Sequence, residues 1–196
     1  MEVIRTFMAI ELPSETRQKL VEVQNRLRSS APPHAVGWVA AQNFHLTLHF
    51  LGNLPVEKTE PLSRALTERV VGLAPFSLKL LELGCFPNLR RPRVIWVGVG
   101  GDTEALMALH GSLGQLLNDL IGFTPESRPY APHLTLGRVS KGIPSRRLEQ
   151  LAQALTGQIS QVGQVGEVPV NGVSLMKSEL TRHGPIYTQL AHQPLV

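Results

Sequence analysis

The sequence predicts an α+β fold with antiparallel sheets, and three observations predict it. Strand-like and helix-like stretches come in mixed order with several strands adjacent, which speaks against a doubly wound parallel sheet. No stretch is long enough to serve as a linker, so residues 1–196 read as one domain. The string His-Leu-Thr-Leu occurs at residues 45–48 and again at 133–136, a spacing of 133 − 45 = 88 residues that hints at two related lobes. Elsewhere the two halves of the sequence show little likeness.

The elements follow in order. Residues 3–12 alternate and run as a strand. Pro13-Ser14-Glu15 starts a helix, with Ser14 as the expected N-cap, that continues to about Ser30. Residues 30–37 form a loop, and Trp38 begins a short strand. The first His-Leu-Thr-Leu strand is closed by "LGNLP", and residues 56–71 read as a second helix. Strands over 76–86 and 94–100 flank a basic loop, "PNLRRPR". A third helix runs from Asp102, as N-cap, to Ile121. A loop over 124–132 leads into the second His-Leu-Thr-Leu strand. A weaker helix over 145–156 precedes strands near 167–178 and 185–191.

Composition narrows the classes. With 42% hydrophobic and 17% charged residues, the chain can bury a core of normal size and is not disordered. No apolar run approaches the roughly 18–20 uncharged residues of a membrane helix. Glu2, Arg5 and Glu11 interrupt the apolar N-terminus, which makes it a strand and a poor signal peptide. The single cysteine excludes an internal disulfide and a cysteine-rich zinc site, and points to a reducing cytoplasm. A net charge of +4, with 14 arginines among the 19 basic residues, favours a polyanionic partner. Genomic bias toward arginine would look the same.

Residues i and i+2 of a strand share a face, about 6.5–7 Å apart. His45 and Thr47 therefore face one way, and Phe44, Leu46, Leu48 and Phe50 the other. His133 and Thr135 repeat the pattern against Leu134 and Leu136. Each strand would press leucines into a core and present an imidazole beside a hydroxyl. A lone histidine in a strand is more often structural, but the duplication favours function. Two such strands facing one groove suit a phosphodiester. Histidine, with an ordinary pKa near 6.5, can serve as acid or base at neutral pH. The threonines can donate to phosphoryl oxygens where charge builds.

At these residues the sequence resembles the two-histidine (2H) phosphoesterase superfamily, defined by paired His-x-Thr-x motifs. Within it, the likeness is greatest to the RNA 2',3'-cyclic phosphodiesterases, also called 2'-5' RNA ligases. "RTFMAIELP", "HLTLHFLGN", "GCFPNLRRPRVIWVGV", "PHLTLGRV" and "GPIYTQL" carry the resemblance over nearly the whole chain. It implies a bilobal fold, two antiparallel sheets flanking a central groove with helices outside, and a reaction without metal or cofactor. It implies that a terminal 2',3'-cyclic phosphate is opened to a 2'-phosphate. His45 would protonate the leaving 3'-oxygen, His133 would activate water, and Thr47 and Thr135 would hold phosphoryl oxygens. The residues alone leave the two histidines interchangeable. The resemblance also places Arg138 near the phosphate, although strict alternation puts it on the leucine face. A bulge or strand end at Gly137 would redirect it.

Other residues admit rival readings. His49, on the predicted face of His45, invites a metal site, but an i, i+4 pair on a strand spans roughly 13 Å and needs distant partners. "GVGGDTEAL" fails both nucleotide-loop patterns. Arg5, Arg90, Arg91 and Arg93 could track an RNA backbone, or merely solvate a hairpin. Phe7, Trp38, Tyr130 and Tyr187 are candidates for stacking on a base, Phe7 and Tyr187 first among them. His34, His110, His183 and His192 read as structural. The expected partner is RNA with a 2',3'-cyclic phosphate end or a small cyclic nucleotide, bound by a monomer with no membrane attachment. The alternatives are 2'-5' RNA ligation by the same residues, and an RNA-end-binding module without turnover.

Overall fold

The computed structural model describes residues 2–124, 128–159, 162–182 and 184–196; His183 lies outside them. The chain runs β1 (Val3–Glu11), α1 (Ser14–Ser30), β2 (Val36–Trp38), β3 (His45–Pro55), α2 (Thr59–Val70), β4 (Phe76–Phe86) and β5 (Val94–Gly101). It continues with α3 (Thr103–Ile121), β6 (His133–Val139), α4 (Ser145–Ile159), β7 (Gly166–Val170), β8 (Gly172–Thr181) and β9 (Gly184–Pro194).

The strands form a four-stranded sheet, ordered β3-β1-β8-β9, and a five-stranded sheet, ordered β2-β6-β5-β4-β7. The pairings along both are antiparallel. Two of the helices, α1 and α3, cross between the sheets. α1 leaves β1 but packs with α4 and β7 against the five-stranded sheet, while α3 leaves β5 of that sheet and packs with α2 and β3 against the other. Each half therefore repeats one plan: a strand, a helix laid on the opposite lobe, and a returning strand paired to the first that carries His-Leu-Thr-Leu. One contiguous hydrophobic cluster, including Leu20, Leu62, Ile95, Leu106, Leu136 and Leu175, spans both lobes. Each fully buried leucine contributes about 1.5–3 kcal/mol.

Local chemistry accounts for the helices and corrects some expected boundaries. Thr16, Leu20, Val23, Gln24 and Leu27 line the buried face of α1 at helical spacing. Ser14 is its first helical residue and makes no capping bond; Pro13 takes the cap position. Asp102 does stand before α3, yet its carboxylate accepts from the Ser77 backbone N–H instead of capping the helix. α3 ends on Gly122, whose φ of 66° lets its N–H return to the carbonyls of Asn118 and Leu117. The second helix begins with a 3-10 turn over 56–58. The strand expected over 167–178 is two strands in different sheets, because the chain crosses between lobes at Asn171. No helix among the described residues is long and apolar enough to cross a membrane.

Candidate active site

β3 and β6 are in contact where the two sheets meet, so the strands bearing the paired motif adjoin. Both depart from simple alternation at the same letter of the motif. Thr47 pairs with Ala9 and His49 with Met8, which leaves Leu48 without an opposite number. Thr135 pairs with Trp96 and Gly137 with Ile95, which leaves Leu136 over in the same way. A bulge adds one residue and reverses the facing of all that follows.

The bulges correct three expectations. Arg138 pairs with Val94 and so shares the face of Thr135 and His133, redirected at Leu136 and not at Gly137. Five residues after its own histidine, Phe50 likewise turns to the face of His45 and lies 52% exposed beside Phe7. His49 turns away from His45 and is only 5% exposed, its Nε2 bonded to the His110 carbonyl at 2.8 Å. The His45–His49 metal reading fails with it. Among the described residues no group of three or more His, Cys, Asp or Glu side chains is arranged to hold a metal ion.

The two motif histidines are held alike. His45 Nδ1 donates to the Asn43 carbonyl at 2.8 Å, and His133 Nδ1 to the Ala131 carbonyl at 2.7 Å. Each bond reaches two residues back, places the proton on Nδ1 in the neutral ring and leaves Nε2 unengaged among the described residues. Asn43 is itself tied to β9, its side-chain amide donating to the Pro185 carbonyl at 2.8 Å. An aromatic ring braces each imidazole edge-on: Tyr187 at 5.2 Å from His45 and Phe86 at 4.9 Å from His133, both near 87°. No hydrogen bond among the described residues uses the hydroxyl of Thr47 or Thr135.

The surroundings of the two histidines differ. His45 lies opposite Glu11 in the ladder, whereas His133 lies opposite Gly98. Burial pushes the His45 imidazole below its ordinary 6.5, while the Asn43 carbonyl and the Glu11 carboxylate pull it up and Arg17 pushes it further down. Glu11 is held in turn by Ser174 Oγ and Gln189 Nε2. The Ser174 hydroxyl gives its one proton to Glu11, so the 2.9 Å contact with His192 is a donation from Nδ1. His192, read as structural, thus belongs to the support of Glu11.

The aromatic candidates divide. Phe7 is 2% exposed, packed against His45 at 4.8 Å, Tyr187 at 5.0 Å and Phe50 at 5.9 Å. It backs the imidazole and keeps no face for a base. Tyr187 is half-buried; burial raises its phenol, and the cations Arg138 and Arg5 pull it down. Trp38 faces α1 under the Arg28 guanidinium, 5.8 Å from the ring centre, and not the groove. Tyr130 donates its hydroxyl to the Thr47 carbonyl at 2.8 Å and stacks on His110. Arg90, Arg91 and Arg93 are exposed on the loop after β4. Glu11, Asn43 and His110 had no signal in the sequence, since their places depend on strand register and helix docking.

Two antiparallel sheets meeting at duplicated His-x-Thr strands define the two-histidine phosphoesterase class. The chain belongs to the LigT like Phosphoesterase family, whose model matches it twice, over residues 10–96 and 101–187. Each match takes in one motif histidine. An RNA 2',3'-cyclic phosphodiesterase of Methanothermobacter thermautotrophicus is 37% identical over 187 residues, 95% of this chain and 96% of that one. Another, from Aquifex aeolicus, is 33% identical over 96% of this chain and 95% of its own. A crystal structure from Thermus thermophilus superposes with a TM-score of 0.78 at 31% identity, covering 98% of both chains. That of E. coli LigT complexed with 3'-AMP gives 0.75 at 29% identity, covering 100% of this chain and 99% of that one.

Proposed function

We infer that the chain is an RNA 2',3'-cyclic phosphodiesterase, and one observation carries the reading. On two adjoining strands, an identical hydrogen bond holds an imidazole with Nε2 free beside an unengaged threonine hydroxyl. Opening a cyclic phosphodiester needs a base for the attacking water and an acid for the departing oxygen. Two Nε2 atoms on either side of one phosphate supply both.

Glu11 separates the roles. A carboxylate beside His45 favours imidazolium there once an anionic phosphate is bound, so His45 is the acid that protonates the leaving 3'-oxygen. His133, opposite a glycine, is the base that takes the proton of water. Thr47 and Thr135 donate to the non-bridging oxygens, and Arg138 balances their charge. Tyr187 offers a ring to the terminal base. The proposal takes a monomer working in a reducing compartment, with RNA ends or small cyclic nucleotides as substrate and both proton transfers made by imidazoles.

The test is hydrolysis of an oligonucleotide bearing a 2',3'-cyclic phosphate, in EDTA, by wild type, His45→Ala and His133→Ala. The expected result is a 2'-phosphate product with EDTA present, and a fall in kcat of roughly 10²–10⁴ in each variant. Activity abolished by EDTA would overturn the two-imidazole mechanism. RNA bound without turnover by wild type would overturn the enzymatic reading itself.

A further inference from the structure

Gln24 lies on the buried face of α1 between Leu20 and Leu27 and is 4% exposed. An amide in an apolar core is costly unless it is hydrogen-bonded. Its Nε2 donates twice, to the Val39 carbonyl at 2.8 Å and to the Leu136 carbonyl at 2.9 Å. The Leu136 carbonyl also accepts the Val39 backbone N–H at 2.9 Å. One amide therefore uses both its protons on two segments that run side by side, the chain leaving β2 and the bulge of β6. The amide oxygen in that place would face two carbonyl oxygens, which fixes the orientation of the side chain.

What the amide holds is the bulge itself. Leu136 is the residue left over between the Thr135–Trp96 and Gly137–Ile95 pairs. An extra residue in a strand lacks a ladder partner, and its carbonyl needs another donor or stays orphaned. Simple alternation from His133 would put Arg138 on the leucine face; with the bulge it shares the face of His133. The packing here is tight, since a Cβ on Gly137 would lie 2.6 Å from Val36 Cγ1 and 3.0 Å from the Trp38 ring.

The other lobe repeats the arrangement. There the leucine left over is Leu48, the crossing helix is α3, and its His110 imidazole has the Leu48 carbonyl as acceptor. The Tyr130 hydroxyl takes the neighbouring Thr47 carbonyl at 2.8 Å. In each half a side chain of the crossing helix meets the carbonyl of the bulged leucine. The donor is glutamine in one half and histidine in the other, so the role recurs although the residue does not.

We propose that Gln24 is a positioning residue of the reaction, which through the Leu136 carbonyl holds the bulge that turns Arg138 toward the bound phosphate. This rests on the phosphodiesterase reading, in which Arg138 balances the phosphoryl charge. Removing the amide leaves the Leu136 and Val39 carbonyls short of a donor. It frees β6 to resume simple alternation, which takes Arg138 out of the groove.

Calorimetric titration of adenosine 2'-phosphate into wild type, Gln24→Met, Arg138→Ala and the double variant tests this, each protein first shown to unfold cooperatively in urea. Gln24→Met keeps the length of the side chain without its donors. Gln24→Ala, which leaves room for water at both carbonyls, takes its place if the Met protein does not fold. Each single variant should bind about tenfold more weakly or worse. The double variant should bind no more weakly than Arg138→Ala alone. Wild-type affinity in the Gln24 variant would overturn the proposal. So would losses that multiply in the double variant, the mark of a general loosening of the fold. Wild-type affinity in Arg138→Ala would instead overturn the phosphate role of Arg138. The Tyr187 phenol then decides, because Arg138 pulls it down in the folded protein. Its midpoint, followed by carbon-13 NMR of labelled tyrosine, should rise in the Gln24 variant as it does in Arg138→Ala. A midpoint that the Gln24 variant leaves unmoved would overturn the proposal.

Discussion

At the scale of the residue, one tautomer-setting bond appears twice, and the chemistry depends on what surrounds each copy. His45 sits among Phe7, Tyr187 and Glu11, so its charged form is penalised by burial and favoured by a carboxylate. In the free protein burial wins, and the ring is expected to titrate below 6.5. A phosphate bound beside it adds the missing counter-charge. Proton NMR of the histidine Cε1–H signals, assigned with His45→Ala, should show a His45 midpoint below 6.5 that rises on adding inorganic phosphate. A midpoint that phosphate does not move would remove His45 from the phosphate site.

At the scale of the element, each of the two motif strands is bulged. The bulge at Leu136 turns Arg138onto the face of His133, and the unpaired carbonyl of Leu136 is not wasted. It accepts from buried Gln24 of α1 at 2.9 Å and from the Val39 backbone N–H at 2.9 Å. Glycines adjust the same sheet. A Cβ on Gly84 would lie 2.2 Å from the Trp96 ring, which shares the face of Thr135. Gly84→Ala should therefore cost about 1–3 kcal/mol in urea unfolding and lower kcat/KM as Trp96 is displaced. Gly111, exposed in α3 with nothing within 4 Å of an added Cβ, gives the contrast. Gly111→Ala should stabilise by about 0.5–1 kcal/mol and leave kcat/KM alone.

At the scale of the whole molecule, α1 and α3 each leave one lobe and pack on the other, so one core carries both halves of the groove. An aromatic stack crosses that junction, with His49 on β3, His110 on α3 and Tyr130 before β6. Its acid behaviour should be visible in global stability. His110 is held down to about 4 from an ordinary 6.5, and His45 and His49 are lowered too. The unfolded chain then binds more protons than the folded one between about pH 6.5 and 4. The contribution is complete above pH 6.5 and is lost as pH falls through that window. The urea midpoint should drop accordingly, and His110→Phe, which keeps a ring between His49 and Tyr130, should flatten the drop. An equal slope in wild type and variant would show that His110 does not carry it.

The sequence by itself determined the family and most of the strand and helix order, and it singled out the two motif histidines as candidates. These rest on local periodicity and on a duplicated string, both readable without knowing what pairs with what. Most element limits were legible for that reason, while Ser14 and Asp102 show how far a cap can be read before its partners are known. Only the tertiary structure decided which residues face the groove beyond the threonines. The leucines left over at positions 48 and 136 reverse the alternation, and a bulge is a property of two paired strands. The asymmetry between the histidines was equally out of reach, because Glu11 and Gly98 meet them through register. His110, on a helix 61 residues from His49, meets that ring only because α3 crosses to the other lobe.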